Sequence, residues 1–196
     1  MWTAMFKINN RLVLSKNVKR LDILAPSIAR KAQPGQFVLL VLEEGREGVP
    51  LAIAETDPSR GMLSVIFREQ SEVTRRLGEV SIEEPIFALT GPLGRPATIQ
   101  KFGTVLCVAT GLGAAQILPL CRALKDKGNK VISVQGGRTR STLMLEPQIR
   151  MASNKTFIAT EDGTFERRGV ATDIVDDLLK RETIKAVYAA GSVDMM

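Results

Sequence analysis

The sequence contains no histidine among its 196 residues. That absence removes the usual general base, histidine-based catalytic triads and His-ligated metal sites together. Cysteine is almost as scarce. Cys107 and Cys121 are too few for a disulfide framework and do not form a Cys-x-x-Cys pair, so they read as buried thiols acting as small hydrophobes. One tryptophan, one tyrosine and seven phenylalanines are too few to interleave a basic nucleic-acid face. The net charge of +6 comes from basic residues spread along the chain, which read as a solvated surface and not as a nucleic-acid site. No apolar run is long enough for a membrane span, and no membrane insertion is expected. The opening residues MWTAMFKINN lack the basic and apolar segments of a secretory signal, so a cytoplasmic location is expected.

What is present divides into two halves. Residues 1–98 carry short runs rich in Val, Ile, Leu and Phe: FKINNRLVLS, VKRLDILAP, GQFVLLVLE, MLSVIFRE and EPIFAL. Turn residues at Asn9-Asn10, Pro34-Gly35, Gly45, Gly48, Pro58 and Gly61 punctuate them, which predicts five or six strands in a small antiparallel barrel. Val73, Leu77 and Val80 recur at helical spacing and predict a short helix. Residues 91–103, GPLGRPATIQKFG, read as the linker. In residues 99–196 the pattern changes. TVLCVAT is a continuous apolar run of the kind buried on both faces of a parallel sheet. The amphipathic stretch AAQILPLCRALKDKG follows, then KVISVQ, STLMLEPQIRMAS, TFIAT, VATDIVDDLLKR and IKAVYAAG. Strand and helix in alternation predict a parallel-sheet α/β domain.

Three of these strands end in small or glycine-containing turns: Thr110-Gly111-Leu112-Gly113, Gln135-Gly136-Gly137-Arg138 and Ala190-Gly191-Ser192. Glycine lets backbone approach a ligand, and a helix N-terminus offers amides to phosphate. The first turn is not a full G-x-G-x-x-G fingerprint, because Gln116 stands at its last position, and a tight strand-to-helix turn would also explain it. The recurrence of such turns along one sheet favours a nucleotide site. Arg138 and Arg140 follow the second strand, where a ribose or phosphate would lie, and Glu161-Asp162-Gly163 ends the third.

The order PGQFV, P-L-x-I, GPLG-x-P, G-x-G-x-A, G-x-R-T, T-x-D-G and AAG-x-x-x-MM resembles the ferredoxin–NADP reductase superfamily. Within it, the chain is similar to the branch of dihydroorotate dehydrogenase electron-transfer subunits and the small subunit of NADH-dependent ferredoxin–NADP oxidoreductase, also called sulfide dehydrogenase. The resemblance runs nearly the full length. It implies an N-terminal FAD-binding barrel, an NAD(P)-binding α/β domain, and hydride transfer from NAD(P)H to FAD, with NAD(H) favoured over NADP(H). The expected partner is a larger catalytic subunit or a ferredoxin-like carrier, which the basic surface would steer if acidic. By the same resemblance Pro50, Leu51, Ala52 and Ile53 would lie along the isoalloxazine, and Ser71 and Thr74 would face the FAD pyrophosphate. Thr110, Gly111 and Gly113 would cradle the NAD(P)H phosphates. Gly136, Arg138 and Thr139, with Glu161 and Asp162, would approach its adenosine side. Gly191, Ser192 and Met195 would sit near the nicotinamide. No metal ligands are expected.

The chain departs from the family pattern in three places. Val49 stands where the flavin motif has Arg, and Ala52 where it has Ser or Thr. Arg46 would replace the missing cation if its loop folds back. Glu72 falls within the phosphate segment. The family's two-iron, two-sulfur cluster uses cysteines beyond Met196, so this chain cannot build it, and a C-terminally truncated member is expected. These departures leave two alternatives: a flavin-free binding or scaffold subunit of the same fold, and a nucleotide-regulated interaction module.

Overall fold

The computed structural model describes residues 6–82 and 84–191, and the chain divides into two compact units, Met1–Ala97 and Thr98–Met196. The first unit is one antiparallel sheet of β1 (Lys7–Ser15), β2 (Val18–Leu24), β3 (Phe37–Val41), β4 (Val49–Asp57), β5 (Met62–Arg68) and β6 (Ala88–Leu93). Their spatial order is β1-β2-β5-β4-β3-β6. The end strands meet where Lys7 bridges Pro85 and the Ile86 amide donates to the Phe6 carbonyl at 3.2 Å, which curls the sheet into the expected barrel. Strand alternation sends Leu21 and Ile23, Val38 and Leu40, and Leu63 and Val65 inward, each at most 1% exposed. Helices α1 (Pro26–Ala29) and α2 (Glu72–Glu79) add Ile28 and Leu77 to that core. β4 is absent from the expected strand set because Gly48 and Pro50 interrupt its apolar run. It forms nonetheless, since Leu51 and Ile53 alternate into the core.

The barrel also carries a polar row on its outer face. Asn10, Asp22, Ser64 and Glu55 lie in register across β1, β2, β5 and β4, bordering an open groove of about 470 Å³. Arg20 joins them, donating to Asp22 at 2.8 Å, Glu55 at 2.5 Å and Ser64 at 2.9 Å. Asp22 also accepts from Ser64 at 2.6 Å and from Asn10 at 3.1 Å.

The second unit is an all-parallel sheet of β7 (Thr104–Thr110), β8 (Lys130–Gly137), β9 (Lys155–Thr160), β10 (Arg167–Arg168) and β11 (Ala186–Ala190), in the order β10-β9-β8-β7-β11. Helices α3 (Gly113–Asp126) and α4 (Glu146–Ala152) pack together beside the sheet. Helix α5 (Ala171–Arg181) closes a separate core through Ala171, Ile174 and Leu178 on Leu106, Val108, Ile132 and Val134. β7 is buried on both faces because it is central, as its apolar run predicts. Buried Asn129 ties the approach to β7 onto the end of α3, accepting from the Phe102 and Gly103 amides and donating to the Leu124 carbonyl.

Two details differ from expectation. The helical segment expected from Ser141 is a 3-10 turn at Arg140–Thr142, and α4 begins only after Leu145, which holds φ +55°. β10 is a fifth strand two residues long, too short to leave a periodic signal. Glu166 precedes it at φ +53° and plugs the sheet edge, accepting the Ile158 amide at 3.1 Å and Arg150 at 2.8 Å. Among the described residues, no helix is long and apolar enough to cross a membrane.

The Arg20 network yields an acid-sensitive contribution to stability. Burial pushes the Asp22 carboxyl up, but hydrogen bonds from Ser64, Arg20 and Asn10 outweigh it and hold the group below its ordinary value of 3.8. A carboxyl depressed on folding stabilises the native state above its unfolded pKa, and the contribution disappears as pH falls through the folded pKa. Arg20→Ala is expected to lose about 2 kcal/mol in urea unfolding at neutral pH. The loss should shrink below about pH 3.8, where Asp22 begins to protonate; a loss independent of pH would contradict this account.

Candidate functional site

The site in the second unit begins with strand order. The chain leaves β7, steps outward through β8 and β9, then returns to β11 on the other side of β7. The strand order thus reverses at β7, and in parallel sheets ligands bind beyond the carboxyl ends of the strands at such a reversal. Register brings those ends level: Ala109 opposes Ala190, Thr110 opposes Gly136, and Gly137 opposes Thr160.

The two glycines of the β7–α3 turn do different work. Gly111 has φ +51°, and a Cβ added there would meet nothing within 4 Å. Its surface faces open space, as a ligand cradle requires. A Cβ on Gly113 would stand 1.9 Å from the Ala190 carbonyl oxygen. Gly113 is therefore the contact that seats the start of α3 on the end of β11. Helix α3 runs 14 residues and has no side-chain N-cap. The Ala114 and Ala115 amides turn back to the Gly111 and Leu112 carbonyls at 3.2 and 3.0 Å, so what the helix start offers an anion is chiefly the positive end of its dipole.

Gly136 is packed closely against its neighbours. A Cβ there would meet the Ala171 Cβ at 2.8 Å and the Thr110 Cγ2 at 3.1 Å. The rim beyond it is laced together. The Glu161 amide donates to the Gly137 carbonyl at 3.1 Å, and the Asp162 amide to the Arg138 carbonyl at 3.2 Å. Thr139 forms a reciprocal cap with Thr142, and its hydroxyl lies 2.8 Å from that of Ser141. The Arg140 amide donates to the Thr164 hydroxyl at 3.0 Å, and its guanidinium lies 4.7 Å over the Phe165 ring. The Thr164 amide, its hydroxyl and the charge of Arg168 together hold the exposed Asp162 carboxyl below its ordinary value, so it is ionised at neutral pH. Arg138 is exposed, as are Glu161 and Asp162, so charge of both signs borders one rim. Gly191 follows the buried Ala190 at the end of β11, while Ser192 and Met195 lie outside the described residues.

In the first unit, Pro50 and Ala52 face outward from β4, whereas Leu51 and Ile53 are 4% and 6% exposed within the core. The side chains of those two belong to the fold; only the first pair can present an apolar surface. Phe37 extends that surface, being opposite Ala52 and packed along Gly94, whose added Cβ would stand 3.0 Å from its ring. The PGQFV run contains Phe37, yet its outward direction becomes visible only in the register of β3 with β4.

Ser71 and Thr74 meet at the start of α2. The Thr74 amide donates to the Ser71 hydroxyl at 3.2 Å, and the Ser71 amide to the Thr74 hydroxyl at 2.9 Å. Both hydroxyls are thus engaged in a capping box, which leaves the first-turn backbone amides as the anion donors of this segment. Glu72 is exposed in that first turn, where a carboxylate favours the helix dipole. Arg46 is exposed and lies 3.9 Å from Glu43. Cys107 and Cys121 are fully buried, and among the described residues no side chains form a metal-ligating cluster.

Comparison with known proteins places this architecture. No family model matches the chain. A dihydroorotate dehydrogenase B (NAD(+)) electron transfer subunit homolog of Thermotoga maritima is 32% identical over 194 residues, covering 99% of this chain and 68% of that protein. The dihydroorotate dehydrogenase B (NAD(+)) electron transfer subunit of Geobacillus thermodenitrificans is 26% identical, covering 96% of this chain and 74% of its own length. The chain therefore spans roughly two thirds to three quarters of these relatives. Among solved structures, a chain from an NADH-dependent reduced ferredoxin–NADP oxidoreductase superposes with a TM-score of 0.92 at 30% identity, covering 99% of this chain and 70% of that one. A ferredoxin reductase of carbazole 1,9a-dioxygenase shares the fold alone, with a TM-score of 0.77 at 20% identity. By this sequence and structural likeness, the chain belongs to the family of dihydroorotate dehydrogenase B electron transfer subunits and their homologues, with the ferredoxin–NADP reductase fold.

Proposed function

We propose that the chain is an electron-transfer module that takes hydride from NAD(P)H onto FAD and passes electrons to a larger catalytic subunit or a ferredoxin-like carrier. The observation that carries this reading is the Gly111 turn: open surface beside the start of α3, which has no side-chain cap, at the switch point of a parallel sheet. There the positive end of the α3 dipole would favour the nucleotide diphosphate, while Gly111 lets it approach the backbone. The laced rim of residues 137–140 and 161–164 would orient the adenosine end, with Arg138 free to reach a ribose or phosphate. NAD(H) is the expected nucleotide, supported by the two dihydroorotate dehydrogenase B (NAD(+)) relatives. Use of NAD(P)H also supports a cytoplasmic location.

On the barrel, Pro50, Ala52 and Phe37 would present an apolar face to the isoalloxazine, and the first turn of α2 would donate amides to the pyrophosphate. Bound FAD supplies hydride acceptance and one-electron release. The protein supplies position, and no histidine is needed for that role.

The apolar Val49 and Ala52, together with Glu72 in the phosphate segment, favour a second reading: a flavin-free subunit of the same fold. Absorption spectroscopy separates the two. Flavin bands in the purified protein, or on adding FAD, and dye reduction by NADH are expected. A colourless protein that takes up no FAD would establish the second reading. A preference for NADPH above about tenfold in dye reduction would overturn the choice of NAD(H).

The turn glycines give a sharper test. Gly111→Ala is expected to cost about 1 kcal/mol of stability through its left-handed backbone, and to weaken NADH binding roughly tenfold by filling the cradle. Gly113→Ala should cost about 3 kcal/mol, because it drives a methyl into backbone. Urea unfolding and NADH titration measure both; equal stability losses with unchanged binding would contradict the division of roles.

A further inference from the structure

We propose that Gln36 is a positioning residue for the flavin: its side chain ties the end of β6 to the start of β3 and so fixes the ring of Phe37. The proposal rests on the flavin reading above, in which Phe37, Pro50 and Ala52 face the isoalloxazine. Gln36 is a polar residue only 9% exposed, in the turn just before β3. A buried carboxamide needs partners, and these come from separate segments. Its Oε1 accepts the Gln33 amide at 2.9 Å, and its Nε2 donates to the Gly94 carbonyl at 3.0 Å, 58 residues along the chain. Its backbone carbonyl accepts the Ile53 amide of β4 at 3.1 Å. Each segment borders the proposed surface, since Phe37 follows Gln36, Ala52 precedes Ile53, and Gly94 packs along the Phe37 ring.

The ladder explains why a side chain is needed there. β3 and β6 shift register between Phe37 and Leu39, so regular backbone pairing is interrupted beside Phe37. The Gln36 carboxamide supplies a bond at that interruption by holding the Gly94 carbonyl. The neighbouring contacts are made by backbone and small residues: the Ala97 amide donates to the Pro34 carbonyl at 2.9 Å, and a Cβ added to Gly35 would stand 3.1 Å from the Ala97 nitrogen. Both ends of the carboxamide are engaged within the fold, so Gln36 acts on a flavin through Phe37 and not by touching it.

A carboxyl at this position separates the hydrogen bond from the packing. In Gln36→Glu the ionised group still accepts the Gln33 amide, but it meets the Gly94 carbonyl with a second acceptor. Once protonated, its O–H donates to that carbonyl as the amide did. Burial raises a carboxyl above its ordinary value of about 4.3, which brings the change into a workable range of pH. Of the charged residues close by in these segments, Lys31 and Arg95 are exposed, and Glu55 is ion-paired with Arg20.

FAD titration followed by flavin fluorescence, at about pH 8 and about pH 5, tests this. Relative to wild type at the same pH, Gln36→Glu is expected to bind FAD roughly tenfold more weakly at the higher pH and within about threefold at the lower. Gln36→Leu should be roughly tenfold weaker at both. Should Gln36→Leu melt early, the change in Gln36→Glu between the two pH values decides alone. Ile23→Val, a core change on β2, should lower the melting temperature and leave FAD affinity unchanged. A wild type that takes up no FAD defeats the flavin reading and this proposal with it. Where wild type binds FAD, wild-type affinity in either Gln36 variant at the higher pH, or a Gln36→Glu deficit that does not shrink at the lower, overturns this proposal alone. An equal loss of FAD in Ile23→Val also overturns it.

Discussion

A methyl group at position 113 would lie 1.9 Å from the carbonyl oxygen of Ala190, so the first turn of α3 reaches the end of β11 only as glycine. This close approach sets the geometry of the second unit. β7 is the central strand, β8 and β9 extend to one side, and β11 returns on the other. Seating α3 at that reversal sets the positive end of its dipole at the carboxyl ends of the strands, with Gly111 facing open space. The nucleotide reading follows from this placement of backbone. It requires no unusual side chain, which suits a chain with no histidine and two buried thiols.

Much of this was legible in the residues, for reasons that can be named. TVLCVAT has too many consecutive apolar residues for a half-exposed strand, and β7 is buried on both faces. Helix α3 stops near Gly128 because that residue holds φ +79°. Other features depend on contacts distant in sequence. Gly111 and Gly113 look alike in a motif, yet one faces open space and the other faces backbone 77 residues away. Gly136 yields its space to Ala171 and Thr110, a helix start and a neighbouring strand. The outward direction of Phe37 depends on its register with Ala52. Pro50 obscured β4, and the left-handed Leu145 delayed α4 beyond its periodic signal.

The two units treat anions differently. In the second, α3 has no side-chain cap and no acidic residue in its first turn. In the first, Ser71 and Thr74 cap α2 reciprocally, and Glu72 adds a carboxylate to its first turn. An anion at α2 would sit beside a negative charge, whereas one at α3 would meet no carboxylate in the first turn. The physics therefore favours tighter reliance on the nucleotide turn. A flavin on the apolar Pro50, Ala52 and Phe37, as proposed, would depend more on stacking than on charge.

Amide hydrogen exchange with and without NADH probes the nucleotide turn directly. The account predicts that protection on binding is greatest in the segment from Thr110 to Ala115, with a smaller gain at residues 137–140. Protection confined to other strands, with the segment from Thr110 to Ala115 unchanged at saturating NADH, would contradict it.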